Sequence, residues 1–379
     1  MIEIAFFEPS YTAHNARDWE IRGSYKYPSL LGDLHKHAQV TLLMRTLPPE
    51  GDAHRIRLEA DYGVRFLAID TLDDAGEANV EMLVDDYEAA IADIEPDIVS
   101  TLNGRMIGHN FALARAAKSA GIVYVYRIAG NDIATQIAVR EAEGRPVTGT
   151  AYQATLIAQE RYAAEVARSV IVMGGTERER ATKLVSNHQK IHICRRGVDR
   201  THFAPPAAAR AQCQRILFVG RNSAEKGIGL IEGAAEVLME TRPEIIFTIA
   251  GDFDERTDGN RQYLGFHGYA DLPSLYASHD ALLLPASSEG FPQVVMEAMS
   301  CGLPAILSHS LFEHDFGSEN GVALIGRNVS DIVEAICRWH DDRTLFATAR
   351  SEAISQAEEH FDATINGARY HKILLGQGA

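Results

Sequence analysis

The stretch Ala281–Ser308, ALLLPASSEGFPQVVMEAMSCGLPAILS, decides the fold. Its first five residues, Ala281–Pro285, form a short apolar run suited to a buried parallel strand. Ala286–Gly290 is small and polar and reads as the loop at that strand's carboxyl end. Pro292 suits a helix start, where its missing N–H goes unused. Val294 with Ala298, and Val295 with Met299, are i,i+4 pairs on one apolar face. Gly302 stops the helix and Pro304 opens the next extended run. Glu289 falls in the loop and Glu297 one turn inside the helix, eight positions apart. The spacing places two hydrogen-bond acceptors at the mouth of a helix, where free N–H groups favour phosphate. A ligand with hydroxyls at both ends and negative charge between them, such as a nucleotide sugar, suits that shape. Two acids at this spacing also arise by chance, as a loop carboxylate and a solvated helix residue, so the surroundings must decide.

Outward from this stretch, strand-like and helix-like segments alternate. In the first half, strands are predicted at Ile2–Phe7, Gln39–Met44, Val64–Ile69, Ile98–Leu102, Ile122–Ile128 and Ser169–Met173. Helices are predicted near Pro28–His37, Glu77–Ile94, Ile107–Ala120 and Tyr152–Ala167, and Thr176–Glu179 (TERE) reads as a capping box. In the second half, strands are predicted at Arg215–Val219, Ile245–Ala250, Tyr263–Phe266, Ala281–Leu284, Ala305–Leu307 and Gly321–Leu324. Ser351–Leu375 reads as helix with a bend near Phe361. Alternation of this kind gives parallel sheets with helices on both faces, an α/β class of Rossmann-like, doubly wound domains. Cys194–Gln214, with its Pro-Pro pair and alanine-rich run, reads as the interdomain linker and entry to the second domain.

A chain of 379 residues is long enough for two such domains. Its composition, 46% hydrophobic and 23% charged with mean hydropathy −0.13, is that of a globular protein. No apolar run approaches the roughly 18 residues of a membrane span. MIEIAFFEPS lacks the basic and apolar regions of a signal peptide, and the scattered Cys194, Cys213, Cys301 and Cys337 have no metal or disulfide spacing. The expectation is a cytoplasmic protein without a metal site, with at most peripheral membrane contact. A net charge of −16 argues against nucleic-acid binding. The charge is uneven: Glu50–Asp97 holds 15 acids and 3 bases, Thr176–Lys226 holds 11 bases and 4 acids. The basic segment either receives an anionic ligand or is a solvated face.

RILFVGRNSAEKGIGLIEGAAEVL, from Arg215, reads as a strand, a loop with Arg221 and Lys226, and a helix. Two cations near a helix start would neutralise a diphosphate without a metal. VGR-x4-KG, then AGD, then FHGY-x-DLPSLYASHDALLLPASSEGFPQVVMEAMSCGLPAI resembles the second domain of retaining GT-B glycosyltransferases. The likeness is to the large family-four group, marked by E-x7-E. RGVDRTHFAP resembles that family's segment at the domain junction, and the clear resemblance covers roughly Gly197–Leu307.

The resemblance implies two Rossmann-like domains facing a central cleft. Residues 1–194 would form the acceptor-side domain, joined by a C-terminal helix at about 362–379, and residues 195–361 the donor-side domain. It implies that Arg221 and Lys226 hold the donor diphosphate, that Glu297 takes the ribose, and that Glu289 stands at the reacting carbon as nucleophile or electrostatic stabiliser. Backbone groups from Phe291 through Gln293 to Val294 would contact the sugar and phosphate, and Phe266, His267 and Tyr269 would line the nucleobase. The implied donor is a nucleoside-diphosphate sugar, a UDP-sugar ahead of a GDP-sugar, with no other cofactor. The implied acceptor is a hydroxyl of a glycan, a lipid-linked sugar or a small molecule.

The first domain departs from the family pattern. The loop after the first strand, Glu8–Tyr27, has Gly23 as its only glycine, Ala129 replaces the usual histidine, and Arg196 replaces an asparagine at the junction. Tyr11–Tyr27 mixes aromatics with cations and serves equally as an acceptor site or a packed lid. Asn103, His109, Arg127 and Asp132 are the first-domain cleft candidates, although a lone histidine in a helix, such as His109, is more often structural. Two other function classes stay open: a non-catalytic nucleotide-sugar-binding protein, and a sugar-nucleotide epimerase.

Overall fold

The computed structural model describes residues 1–7, 34–45, 47–69, 80–102, 106–128, 130, 133–134, 137, 140–141, 144, 147–207, 211–316 and 321–377. The chain divides into two compact units, Met1–Cys194 with Gly367–Ala379, and Arg195–Asn366.

The first unit runs β1 (Ile2–Phe7), β2 (Ala38–Met44), α1 (Ala53–Tyr62), β3 (Arg65–Ala68), α2 (Val80–Ile94), β4 (Ile98–Thr101), α3 (Ile107–Ala120), β5 (Val123–Arg127), α4 (Ala151–Val166), β6 (Ser169–Val172), α5 (Gly175–Thr182) and β7 (Ile191–Ile193). Among the described residues its sheet has the order β3-β2-β1-β4-β5-β6-β7, parallel throughout. Both faces are covered. Ile4 and Phe6 of β1 join one apolar cluster, and Ala5 and Phe7 join the other. This is why the strands read as unbroken apolar runs rather than alternating ones.

The second unit runs β8 (Arg215–Gly220), a 3₁₀ turn (Ala224–Lys226), α6 (Ile228–Thr241), β9 (Ile246–Gly251), β10 (Arg256–Asp258), β11 (Arg261–Leu264), α7 (Leu272–Ala277), β12 (Ala281–Leu284), α8 (Gln293–Ser300), β13 (Ala305–Ser308), α9 (His309–Phe312), β14 (Val322–Ile325), α10 (Val329–Asp341), α11 (Arg343–His360) and α12 (Ala363–Leu374). α12 crosses the division between the units at Gly367. The second sheet has the order β10-β11-β9-β8-β12-β13-β14, parallel except for the β10–β11 hairpin. β8 lies between β9 and β12, with Phe218 opposite Ile249 and Leu217 opposite Leu282. The strand order reverses there, so the carboxyl ends of β8 and β12 form the switch point at which open α/β sheets bind ligands. The buried carboxylate of Asp280 accepts the N–H groups of Gln214 (2.9 Å) and Arg215 (2.8 Å), fastening the start of β8 beside β12.

Several local expectations change. Of Cys194–Gln214, read as the linker and entry to the second domain, Cys194 belongs to the first unit, and the described residues 195–207 and 211–214 belong to the second. There Phe203 and Cys213 are fully buried, and Val198 bridges to Asp362. The capping box at Thr176 is replaced by an earlier start: Gly174 is the N-cap, no side chain caps it, and Glu177 Oε2 accepts the Met173 N–H (2.6 Å). A buried glutamate therefore anchors the entry to α5 instead of a threonine hydroxyl. Of the helix expected at Pro28–His37, the described part is a 3₁₀ turn at Leu34–Lys36. β7 and β10 carry three residues each, too few for a periodic signal. The β10–β11 turn, Gly259-Asn260 with Gly259 at φ +59°, is the cue that the sequence did offer. Ser351–Leu375 is two helices, because Asp362 caps α12 by accepting the N–H groups of Thr364 (2.8 Å) and Ile365 (3.0 Å).

Candidate functional site

The site is built where β8 and β12 end. After β8 the chain makes the Ala224–Lys226 turn and enters α6 through Gly227. Gly227 sits at φ +79°, and a Cβ there would lie 2.5 Å from the Pro285 carbonyl oxygen, so only glycine lets the two loops approach this closely. After β12 the Pro285–Pro292 loop is tied to that turn. Ser287 donates its N–H to the Glu225 carbonyl (2.7 Å), and Ser308 Oγ donates to Ala286 O (2.7 Å). Neither α6 nor α8 has a side-chain cap; Leu230 and Val295 turn their N–H groups back to Gly227 O (3.0 Å) and Pro292 O (3.2 Å), and the positive dipole end of each helix start faces its loop.

On this frame Lys226 Nζ and Glu289 Oε1 form an ion pair, with side chains 13% and 15% exposed. Arg221 pairs with Glu225 (2.7 Å) at the surface, 64% exposed. Each of these cations is thus held by a carboxylate of the same loops. Cations held this way by carboxylates can exchange those partners for another anion.

Glu297 is the remaining ionisable candidate of this unit. It lies on α8 at 3% exposure, and Tyr276 from α7 donates its hydroxyl to Oε2 (2.8 Å). Burial pushes its pKa up to about 7, partly offset by hydrogen bonds from Tyr276 and Gln293. Its solvated-helix alternative is therefore excluded by the fold. Gln293 Nε2 also donates to Gly197 O (3.2 Å), and Val294 is half-buried. The Phe291 ring lies in a cluster with Phe312, Phe316 and Phe361 under the Arg195 guanidinium (4.4 Å). Its side chain is thus committed to packing. Of the nucleobase candidates, Phe266 is 43% exposed, His267 Nδ1 lies 3.0 Å from Gly265 O, and the Tyr269 ring stacks on His202 (4.6 Å).

In the first unit the candidates fare differently. Asn103, Asp132 and Ala129, and the aromatic loop Tyr11–Tyr27, lie outside the described residues. His109 is not a surface residue: it is 5% exposed, stacked on Phe7 (4.8 Å) and 2.9 Å from the Tyr87 hydroxyl. Burial, aided by the Arg45 charge, lowers its pKa to about 3, so it is a neutral core histidine. Arg127, at the carboxyl end of β5, is 1% exposed; Nη2 lies 3.1 Å from Met173 Sδ and the guanidinium 5.5 Å from the Tyr370 ring centre.

Two contributors, Tyr276 and Arg327, are not among the residues singled out in the sequence, and Phe203 falls in RGVDRTHFAP, which read only as a junction. Arg327, whose Nε donates to Pro285 O (3.1 Å), follows β14 and was findable by asking which side chains end each strand. Among the described residues, no group of three or more His, Cys, Asp or Glu side chains could hold a metal ion. No helix there is long and apolar enough to cross a membrane.

Two doubly wound units of this construction make the chain an α/β protein of the GT-B fold. Residues 213–342 match the family described as Glycosyl transferases group 1. In sequence the chain is similar to the UDP-Gal:alpha-D-GlcNAc-diphosphoundecaprenol alpha-1,3-galactosyltransferase of Escherichia coli. The two are 27% identical over 216 residues, 49% of this chain and 54% of that one. The chain spans about half the length of the curated relatives it matches. In fold it is similar to sucrose-phosphate synthase from Thermosynechococcus elongatus, with TM-score 0.72, 17% identity, and coverage of 100% of this chain and 99% of that one. It is also similar to Anabaena Alr3699/HepE in complex with UDP and glucose, with TM-score 0.70, 16% identity, and coverage of 99% and 100%.

Proposed function

We propose that this protein is a retaining glycosyltransferase that moves a hexose from a nucleoside-diphosphate sugar to a hydroxyl of a glycan, a lipid-linked sugar or a small molecule. The carrying observation is the junction of two loops at one switch point, where Lys226 meets Glu289 beside the uncapped start of α6. Lys226 and Arg221 take the donor diphosphate, Glu297 the ribose hydroxyls, and Glu289 the reacting sugar. As the glycosidic bond breaks, charge grows on the leaving diphosphate. Fixed cations and helix N-termini stabilise it there more than in the ground state. Binding the diphosphate frees Glu289 from Lys226, which leaves its carboxylate beside the positive charge that develops at the anomeric carbon. No metal is required by this arrangement. A UDP-sugar is favoured as donor because Alr3699/HepE, similar in fold, is seen with UDP and glucose. The E. coli relative, named for a lipid-diphosphate acceptor, supports a lipid-linked acceptor.

The test is a panel of uridine, guanosine, adenosine and thymidine diphosphate sugars with the purified chain. Release of free nucleoside diphosphate from one donor, abolished in Lys226→Ala, is the expected result. No release from any donor would mark a binding protein instead, and new sugar isomers formed without acceptor would mark an epimerase.

A further inference from the structure

We propose that Tyr276 is a positioning residue for donor binding, wedged in place by Phe203 and fixing the Glu297 carboxylate that receives the ribose hydroxyls. This rests on the reading of Glu297 as the ribose acceptor.

Tyr276 and Phe203 are both fully buried, their ring centres 6.0 Å apart. Phe203 also meets the edge of Tyr269 (5.4 Å), and His202 covers the face of Tyr269 and bonds its carbonyl through Nε2 (3.0 Å). The segment presenting His202 and Phe203 closes on itself: Asp199 Oδ1 accepts the N–H (2.8 Å) and hydroxyl (2.6 Å) of Thr201. The sequence RGVDRTHFAP, legible only as a junction, is thus a buckle. It reaches under the loop that carries the nucleobase candidates and holds the tyrosine that holds Glu297.

The hydroxyl has a definite task. Burial raises the pKa of Tyr276, so its hydroxyl stays protonated and donates a hydrogen bond to the Glu297 carboxylate. A bond to the carboxylate favours the charged form, opposing the desolvation that favours the acid. The groups acting on Glu297 are Tyr276 from α7 and, from its own segment, Gln293; burial and Glu297 in turn push the Cys301 thiol up to about 12. Without the Tyr276 hydroxyl the carboxyl becomes both less fixed and more readily protonated, and accepts ribose hydroxyls less well. A tyrosine that merely filled the core would affect folding and leave this acceptor unchanged.

Calorimetric titration of uridine diphosphate, or of guanosine diphosphate where that binds more tightly, into the full chain tests this. A wild-type chain that binds neither, or a Glu297→Gln chain that binds as tightly as wild type, removes the ribose site and the proposal with it. With Glu297→Gln weakened, Tyr276→Phe is expected to bind about three- to tenfold more weakly at about pH 7. The wild-type-to-variant ratio, in which the nucleotide's own titration cancels, should shrink as pH rises. It should approach one for the 2′,3′-dideoxy nucleotide at every pH. A Tyr276→Phe chain that binds as wild type, or loses the same factor with the dideoxy nucleotide, overturns the positioning role while the ribose site stands. Phe203→Leu keeps the hydroxyl but loosens its support, and should show the same pH direction with a smaller loss. If Tyr276→Phe does not fold, the same ratio test on Phe203→Leu decides.

Discussion

His109 and Glu297 occupy comparable places in the two units. Each lies in the helix that follows the strand beside its sheet's first strand, α3 after β4 and α8 after β12. Each is nearly buried and bonded to a tyrosine hydroxyl, at 2.9 Å and 2.8 Å. Burial drives both toward their neutral forms, and the outcomes differ. His109, with a pKa of about 3 and Phe7 against its ring, stays neutral throughout the physiological range. Glu297, at about 7, remains able to ionise. A buried titratable group with a hydroxyl partner is therefore not in itself a site. In the proposed reading, what sets Glu297 apart is its helix's place after the loop whose Glu289 pairs with Lys226, whereas the Arg45 charge near His109 only adds to the burial that keeps it neutral.

The hardest test of that contrast is Lys226→Ala. It should lower kcat/KM with the preferred donor by about 10²- to 10³-fold, as removal of a preorganised charge partner does, while a residual activity near wild type would return the second unit to the status of the first. Glu297→Gln should weaken nucleoside-diphosphate affinity about tenfold, read by calorimetry, with a smaller effect on kcat.

The two groups also bias stability in opposite directions, which sharpens the comparison. Glu297 has a folded pKa raised above the unfolded value near 4.5, so its contribution is fully present below that value and is lost as pH rises toward about 7. His109 has a folded pKa depressed below 6.5, so its contribution is present above 6.5 and lost on acidification toward about 3. The second unit should therefore lose about 2–3 kcal/mol between pH 5 and 8, a slope absent in Glu297→Gln. The first unit should lose about 2 kcal/mol from pH 7 to 5, a slope absent in His109→Phe. Hydrogen exchange of the strands, read unit by unit, measures both, and His109→Phe should leave turnover within about twofold. Of the site variants, Arg221→Ala should show the smallest effect. Its surface pair with Glu225 is worth little to stability, and donor affinity should fall only about threefold.

What was legible in the sequence was local. Apolar runs bounded by glycine and proline located β1, β8 and β12 within a residue or two, because burial on both faces leaves a composition that needs no tertiary knowledge to read. The same holds for the Glu289 loop and for the α8 start at Pro292. Lys226 and Glu289 are 63 positions apart, and Tyr276 and Glu297 are 21 apart. Their meeting depends on β12 lying beside β8, an order that no local pattern encodes. E-x7-E set Glu297 apart from His109 in the sequence, but no local pattern showed that both would be buried against a tyrosine hydroxyl. Nor could it see that residues 195–207 pack as a buckle, or that Glu177 and not Thr176 anchors α5. Backbone propensity and hydrophobic period are written into neighbouring residues, so the sequence by itself determined the α/β alternation and the candidate loops. Burial, ionisation and partner choice are properties of what surrounds a side chain, and only the tertiary structure decided which of the candidate charges are buried and which are paired.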